Sequence, residues 1–136
     1  MPPFFDTNIL IYSVDRDEAV KSGPAGELVE THLVRGNGAI SVQVLREFYS
    51  VSRRLGSPLS ERQAQEMVDY FSTFRTLSED ASMVLGAVRR TRAMSISFWD
   101  ALIVEAALKA GADRLFTEDL QHGQIIEGMR VENPFL

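Results

Sequence analysis

Asp6, Glu47, Asp100 and Asp119 are four carboxylates placed where solvation alone gives no reason for them: at the ends of apolar runs, or on apolar helical faces. A carboxylate turned toward a core is costly unless it has a partner, which can be an arginine, a helix N-terminus or a metal ion. The chain has no cysteine, so thiolate sites and disulfides are excluded and the metal chemistry left to it is oxygen-ligand chemistry. Each acid also has a plainer reading. Asp6 can cap a helix starting near Ile9, Asp100 can be favourable first-turn charge, Glu47 can pair with a nearby arginine, and Asp119 can be a turn residue. Glu118, beside Asp119, is an equal candidate on spacing alone, because a loop has no periodicity.

The elements that must position these residues are legible in the pattern. Phe4-Phe5 reads as a short buried strand ending at the polar turn Asp6-Thr7-Asn8, with a new element beginning at Ile9. A helix is predicted from Gly26 to Val34, entered through Pro24, and a strand over Ala39-Ile40-Ser41. The next helix, from about Val42 to Leu55, carries the apolar stripe Val44, Phe48, Val51 and Leu55, with Glu47 on its border. Ser60 caps a helix running to Phe74, with Met67, Tyr70, Phe71 and Phe74 on its apolar side. Arg75-Thr76-Leu77 is a short strand, Asp80 to Arg92 a helix, Phe98 to Ala110 a helix closed by Gly111, and Arg114 to Thr117 a strand.

On the helix from Phe98, at about 100° per residue, Ile103, Val104, Ala107 and Leu108 all lie within about 80° of Asp100. Glu105 and Lys109 lie on the opposite side, which is expected to be the solvated face. Strands alternating with helices predict an α/β fold, a mainly parallel sheet covered by helices in a single domain spanning residues 1–136. Such sheets bind ligands beyond the carboxyl ends of their strands, where Asp6 and Asp119 fall.

A formal charge of −5 argues against a broad basic surface for nucleic acid. Setting the four acids aside leaves −1, so most of the imbalance can sit in one place that a divalent cation would neutralise. Only Lys21 and Lys109 among the fourteen basic residues are lysines; the arginines suit phosphate or carboxylate partners. The N-terminus lacks a basic region and no long apolar run occurs, so a cytoplasmic protein without a membrane span is expected.

In order and spacing, Asp6-Thr7-Asn8, Glu47, Phe98-Trp99-Asp100-Ala101-Leu102-Ile103 and Thr117-Glu118-Asp119 resemble the PIN-domain family, and within it the VapC-type ribonuclease toxins of bacterial toxin–antitoxin pairs. The C-terminal stretch from Gly128 to Phe135 resembles a branch of the same family. The resemblance covers nearly the whole chain. It implies an α/β/α sandwich, Mg²⁺ or Mn²⁺ at the acids, endonucleolytic cleavage of RNA, an antitoxin protein as partner, and a homodimer. Asp6, Glu47, Asp100 and Asp119 match the family's acids, with Asp6 and Asp100 as main ligands; Asn8 and Thr117 match its supporting polar positions.

Competing classes fit less well. An aspartyl-phosphate phosphatase wants a second Asp at position 8, which is Asn8, and a catalytic lysine that neither Lys21 nor Lys109 supplies. A non-catalytic, metal-free interaction module would use the same acids only as caps and ion pairs. Arg46, Arg53 and Arg54 can line an RNA path beside Glu47 or simply form a solvated face, and Arg89, Arg90 and Arg92 have the same two readings. His32 and His122 read as surface or turn histidines, and Trp99 as core packing rather than a base-stacking platform.

Overall fold

The computed structural model describes residues 2–54 and 56–136. Six strands form one sheet: β1 (Phe4–Phe5), β2 (Ala39–Ser41), β3 (Arg75–Leu77), β4 (Arg114–Phe116), β5 (Ile125–Ile126) and β6 (Met129–Glu132), in the order β3-β2-β1-β4-β6-β5. All neighbouring pairs are parallel except β5 with β6. The helices are α1 (Thr7–Val14), α2 (Ser22–Arg35), α3 (Val42–Ser52), α4 (Glu61–Phe71), α5 (Ala81–Met94) and α6 (Phe98–Lys109). They cover the sheet as the outer layers of an α/β/α sandwich, the expected architecture. A sheet buried on both faces needs strands that are apolar throughout, and Phe4, Phe5, Ala39, Ile40 and Leu115 are fully buried.

The strand order reverses at β1. From there the chain builds outward through β2 and β3, then crosses back to lay β4 on the other side of β1. The crevice beyond β1 and β4 is therefore a topological switch point, where such sheets bind ligands. Under it, the Phe5 ring stacks on Phe116 with centroids 5.4 Å apart and touches Phe74 at 5.3 Å and His32 at 5.5 Å. His32 is thus a core residue, 6% exposed, with Nδ1 2.9 Å from the Leu28 carbonyl oxygen. The surface or turn reading missed this, although His32 follows Ala25 and Val29 at spacings of seven and three residues on the buried face of α2.

Several boundaries differ from expectation. α2 starts four residues earlier than predicted, at Ser22, with Pro24 inside its first turn. α4 stops at Phe71, and Phe74 reaches the core from the turn that follows, while Tyr70 is 45% exposed rather than on the buried side. α3 ends at Ser52, and Leu55, expected at the end of its stripe, lies outside the described residues. The β5–β6 hairpin had no prediction: its strands have two and four residues, too few for alternation to declare itself. Glu105 is not a solvated charge either. It pairs with Arg90 at 2.8 Å, and Arg90 also holds Glu127 at 2.6 Å, clamping α5, α6 and the β5–β6 turn together.

Gly38 precedes β2, and a methyl group there would run into the Phe74 ring and stand 3.1 Å from Phe5. Overpacking of this kind costs about 1–3 kcal/mol. Gly38→Ala should therefore lower the urea midpoint by an equivalent amount with an unchanged m-value; an unchanged midpoint would mean that the aromatic cluster yields freely.

Candidate active site

The last rung between β1 and β4 is the Asp6 N–H donating to the Phe116 carbonyl at 3.0 Å, so Asp6 leaves the sheet with its backbone fixed. One of its carboxylate oxygens accepts from the Thr7 N–H at 2.7 Å and so caps α1; the other accepts from the Thr117 hydroxyl, also at 2.7 Å. Asp6 is thus a helix cap and a member of an acidic group at once. The Thr117 hydroxyl accepts in turn from the Asp119 N–H at 3.0 Å, so one buried side chain just past β4 ties the two acids together. The Asn8 amide donates to Asp119 at 3.0 Å from the first turn of α1.

Asp100 arrives from the other side. Ser97 caps α6 by accepting from the Asp100 N–H at 3.0 Å, which sets Asp100 in the helix's first turn. α6 is buried on almost all sides, with Ala101, Leu102, Ile103, Val104, Ala106 and Ala107 all inside. Its wheel therefore marks a face less sharply than expected; Asp100 itself is half-buried at the helix's open end. Carboxylate oxygens of Asp6, Asp100 and Asp119 all lie within 4.8 Å of one another.

They share a cleft of about 190 Å³ with Thr7, Asn8, Ile11, Gln43, Glu47, Val51, Trp99 and Ile103. No lysine or arginine lines it among the described residues. The electrostatic consequence is strongest at Asp6. Burial is the main cause pushing its carboxyl up to about 7; the nearby Asp119 and Asp100 charges add to the rise, and the bonds from Thr117 and Thr7 only partly offset it. Asp119 is raised too, by burial first and then by Asp100 and Glu118. The group has the chemistry of a hard-cation site: oxygen donors only, crowded like charges and no internal counter-charge. Among the described residues, the buried Asn8 Oδ1 has no hydrogen-bond partner.

Glu47 lines the cleft but stands outside the three-acid group, accepting from the Thr7 hydroxyl at 3.4 Å. Glu118 faces away from it. Its carboxylate takes bonds from Tyr12 Oη at 2.6 Å and Lys21 Nζ at 2.7 Å, and these outweigh its burial to hold it below the usual glutamate range. The lysine that looked unassigned in the sequence thus fixes the loop carrying Asp119, and it also lies over the Tyr12 and Phe135 rings. Of the arginines beside Glu47, Arg46 pairs with Glu79 at 3.2 Å, while Arg53 and Arg54 are exposed and Arg54 borders a groove that shares Ile11 and Val51 with the cleft. Arg89 and Arg92 are exposed, whereas Arg90 is spent on its two glutamates.

Trp99 overturns its core reading: it is 61% exposed, against the cleft. Its position next to Asp100 in the first turn of α6 points it outward while its successors turn in. Gln43 was not foreseen. It is 2% exposed, and its amide donates to the Trp99 carbonyl at 3.3 Å, tying α3 to the start of α6. Its place one helical turn before Glu47 was the available signal. His122 is exposed and accepts from the Asn133 N–H at 3.0 Å, away from the acids.

The sequence matches the PIN domain family model over residues 4–126. A comparison with curated proteins returned no match. Among solved structures, the chain resembles a toxin–antitoxin complex from Klebsiella pneumoniae at 23% identity and a TM-score of 0.69, with 97% of each chain covered. It also resembles VapBC2 from Rickettsia felis bound to a promoter DNA fragment, at 23% identity and a TM-score of 0.69 over 98% of each chain. A third is Mycobacterium tuberculosis VapC20, a sarcin–ricin-loop-cleaving toxin, at 20% identity and a TM-score of 0.66, covering 83% of this chain and 86% of that one. At these identities, the likeness to solved structures is one of fold.

Proposed function

The chain belongs to the PIN-domain family, and from that premise we propose that it is a divalent-metal-dependent endoribonuclease, the toxin of a toxin–antitoxin pair, acting in the cytoplasm. The observation that carries this reading is the convergence of Asp6, Asp100 and Asp119 within 4.8 Å, in a cleft with no cationic side chain among the described residues. Mg²⁺ or Mn²⁺ suits an all-oxygen donor set of this kind. Bound there, it would neutralise charge on a phosphodiester and lower the pKa of an attacking water. Asp6 and Asp100 are the main ligands in this reading, Asp119 completes the group, and Glu47 contributes from the cleft wall through water.

The surrounding residues hold these oxygens in place. Thr117 donates to Asp6, whose carboxylate cannot turn away without breaking that buried bond, and accepts from the Asp119 backbone, which fixes where that side chain begins. Asn8 fixes one Asp119 oxygen by donating to it. Asp119, rather than Glu118, is the ligand, because Glu118 is already held by Lys21 and Tyr12. Accordingly, Asp119→Asn should weaken Mn²⁺ binding at least about tenfold while Glu118→Gln changes it less than about threefold. Titration calorimetry on both variants decides between them, and the reverse ranking would transfer the role to Glu118.

The partner in this reading is an antitoxin protein, in keeping with the toxin–antitoxin complexes among the structures of like fold. Val84, Leu85 and Val88 are exposed on α5, an apolar strip consistent with a homodimer contact. The deciding experiment is incubation of the purified chain with a panel of structured RNAs in Mg²⁺, in Mn²⁺ and in chelator, followed by end mapping. Discrete cuts with metal and none in chelator are expected. Intact RNA under every condition would defeat the nuclease reading.

A further inference from the structure

Trp99 is the chain's single tryptophan, and it lies 61% exposed on the wall of the acid cleft, one residue before Asp100. An exposed indole away from any site is unremarkable; here the ring packs on a neighbour and the backbone that carries it is anchored. Its ring meets Phe98 edge-on with centroids 5.3 Å apart at 71°, and its carbonyl is held by the buried Gln43. We propose that Trp99 is a stacking platform for the base of an unpaired nucleotide flanking the phosphate held at the acid cluster. The proposal rests on the nuclease reading above and deepens it by naming a residue that holds the substrate beside the cut site.

Two features favour a base as the group that covers Trp99. First, the cleft wall supplies no phosphate-binding cation among the described residues, and the chain carries −5 overall, so the usual electrostatic source of nucleic-acid affinity is missing at this point. Stacking on an aromatic face is the contact that can replace it, because every base has a π-face. Second, a base is separated from its own phosphate by a single sugar. A phosphate near Asp100 therefore brings a base within reach of the adjacent residue. A base inside a duplex is stacked on both sides and has no face to give, so the platform selects unpaired nucleotides.

The test uses the full chain in Mg²⁺. Trp99→Ala and Trp99→Phe are compared with wild type in steady-state cleavage of a single-stranded RNA octamer, and wild-type indole emission is followed on rapid mixing with that octamer and with its fully paired duplex. Trp99→Ala should raise KM about tenfold or more with kcat within about threefold, and Trp99→Phe should recover part of the loss. The octamer should quench emission saturably before cleavage, and the duplex should not. Cleavage by wild type with an unchanged KM in Trp99→Ala, with a fall in kcat alone, or without quenching overturns the platform and leaves the nuclease reading intact. Saturable quenching by the octamer without cleavage of any RNA upholds the platform and defeats the nuclease reading. Absence of both defeats both. An emission shift caused by raising protein concentration alone would show that a second copy covers Trp99, which also overturns the platform.

Discussion

Asp6→Asn is expected to remove metal-dependent RNA cleavage almost entirely and, at the same time, to make the metal-free chain more stable. The two effects share one cause. Asp6 is 6% exposed, and burial with neighbouring negative charge pushes its carboxyl up to about 7. The fold therefore pays for an anion that only a bound cation compensates. Asparagine keeps the size and can still accept from the Thr7 N–H, but the Thr117 hydroxyl, which donates to the second carboxylate oxygen, must turn to accept instead. Loss of a main ligand forfeits several kcal/mol of charge stabilisation at the phosphate. At about 1.4 kcal/mol per tenfold, that is a rate loss of about a thousandfold or more. Asp100→Asn should lose cleavage to a similar degree with a smaller gain in stability, since Asp100 is only half-buried. Single-turnover cleavage in Mg²⁺ and thermal unfolding in EDTA measure both quantities. An Asp6→Asn chain that cleaves at the wild-type rate would take Asp6 out of the mechanism; one that unfolds at a lower temperature in EDTA would show that its hydrogen bonds outweigh its charge.

The legibility of the site in the sequence followed how each residue is placed. Asp6 stood out because an apolar strand stops at it, and that is also its structural situation: the last backbone rung of β1 immediately precedes its side chain. Asp100 stood out on a helical wheel for a reason that was only half right. α6 is buried around most of its circumference, so what exposes Asp100 to the cleft is its place in the first turn, beside the Ser97 cap. Glu118 and Asp119 could not be separated without the fold, because the choice depends on Lys21 and Tyr12, residues about a hundred positions away. The clamp on Arg90 was hidden for the same reason. Long-range polar contacts leave no local period in the sequence, whereas helices and buried strands do. Trp99 was misread because hydrophobicity alone assigns large aromatic residues to the core; only the direction of α6's first turn shows that this one faces out.

The metal-free chain should also lose stability as the pH rises from about 4 to 7, in a manner traceable to Asp6. Its folded pKa of about 7 lies above the ordinary value of 3.8, so between those values the folded chain binds a proton that the unfolded chain has released. Stability then falls with rising pH: the contribution is complete below 3.8 and is lost as pH passes through about 7. The full swing from this group is on the order of 4 kcal/mol. Asp119, raised as well, adds in the same direction. Glu118, held low by Lys21 and Tyr12 against its burial, acts oppositely, stabilising above its unfolded value of 4.5 and losing that contribution in more acidic solution. The interval between pH 5 and 7 therefore lies above the range in which Glu118 acts. Urea melts in EDTA across that interval should show declining stability in wild type and a shallower decline in Asp6→Asn, where Asp119 still contributes. Mg²⁺ should offset the decline, because it binds the deprotonated group: its stabilisation should grow with pH and reach about 2.7 kcal/mol at a hundredfold excess over Kd, leaving a flatter profile. Parallel profiles for the two chains in EDTA would mean that the buried carboxylate carries no unpaired charge. The cleft would then be balanced without a cation, and the reason for placing one there would be gone.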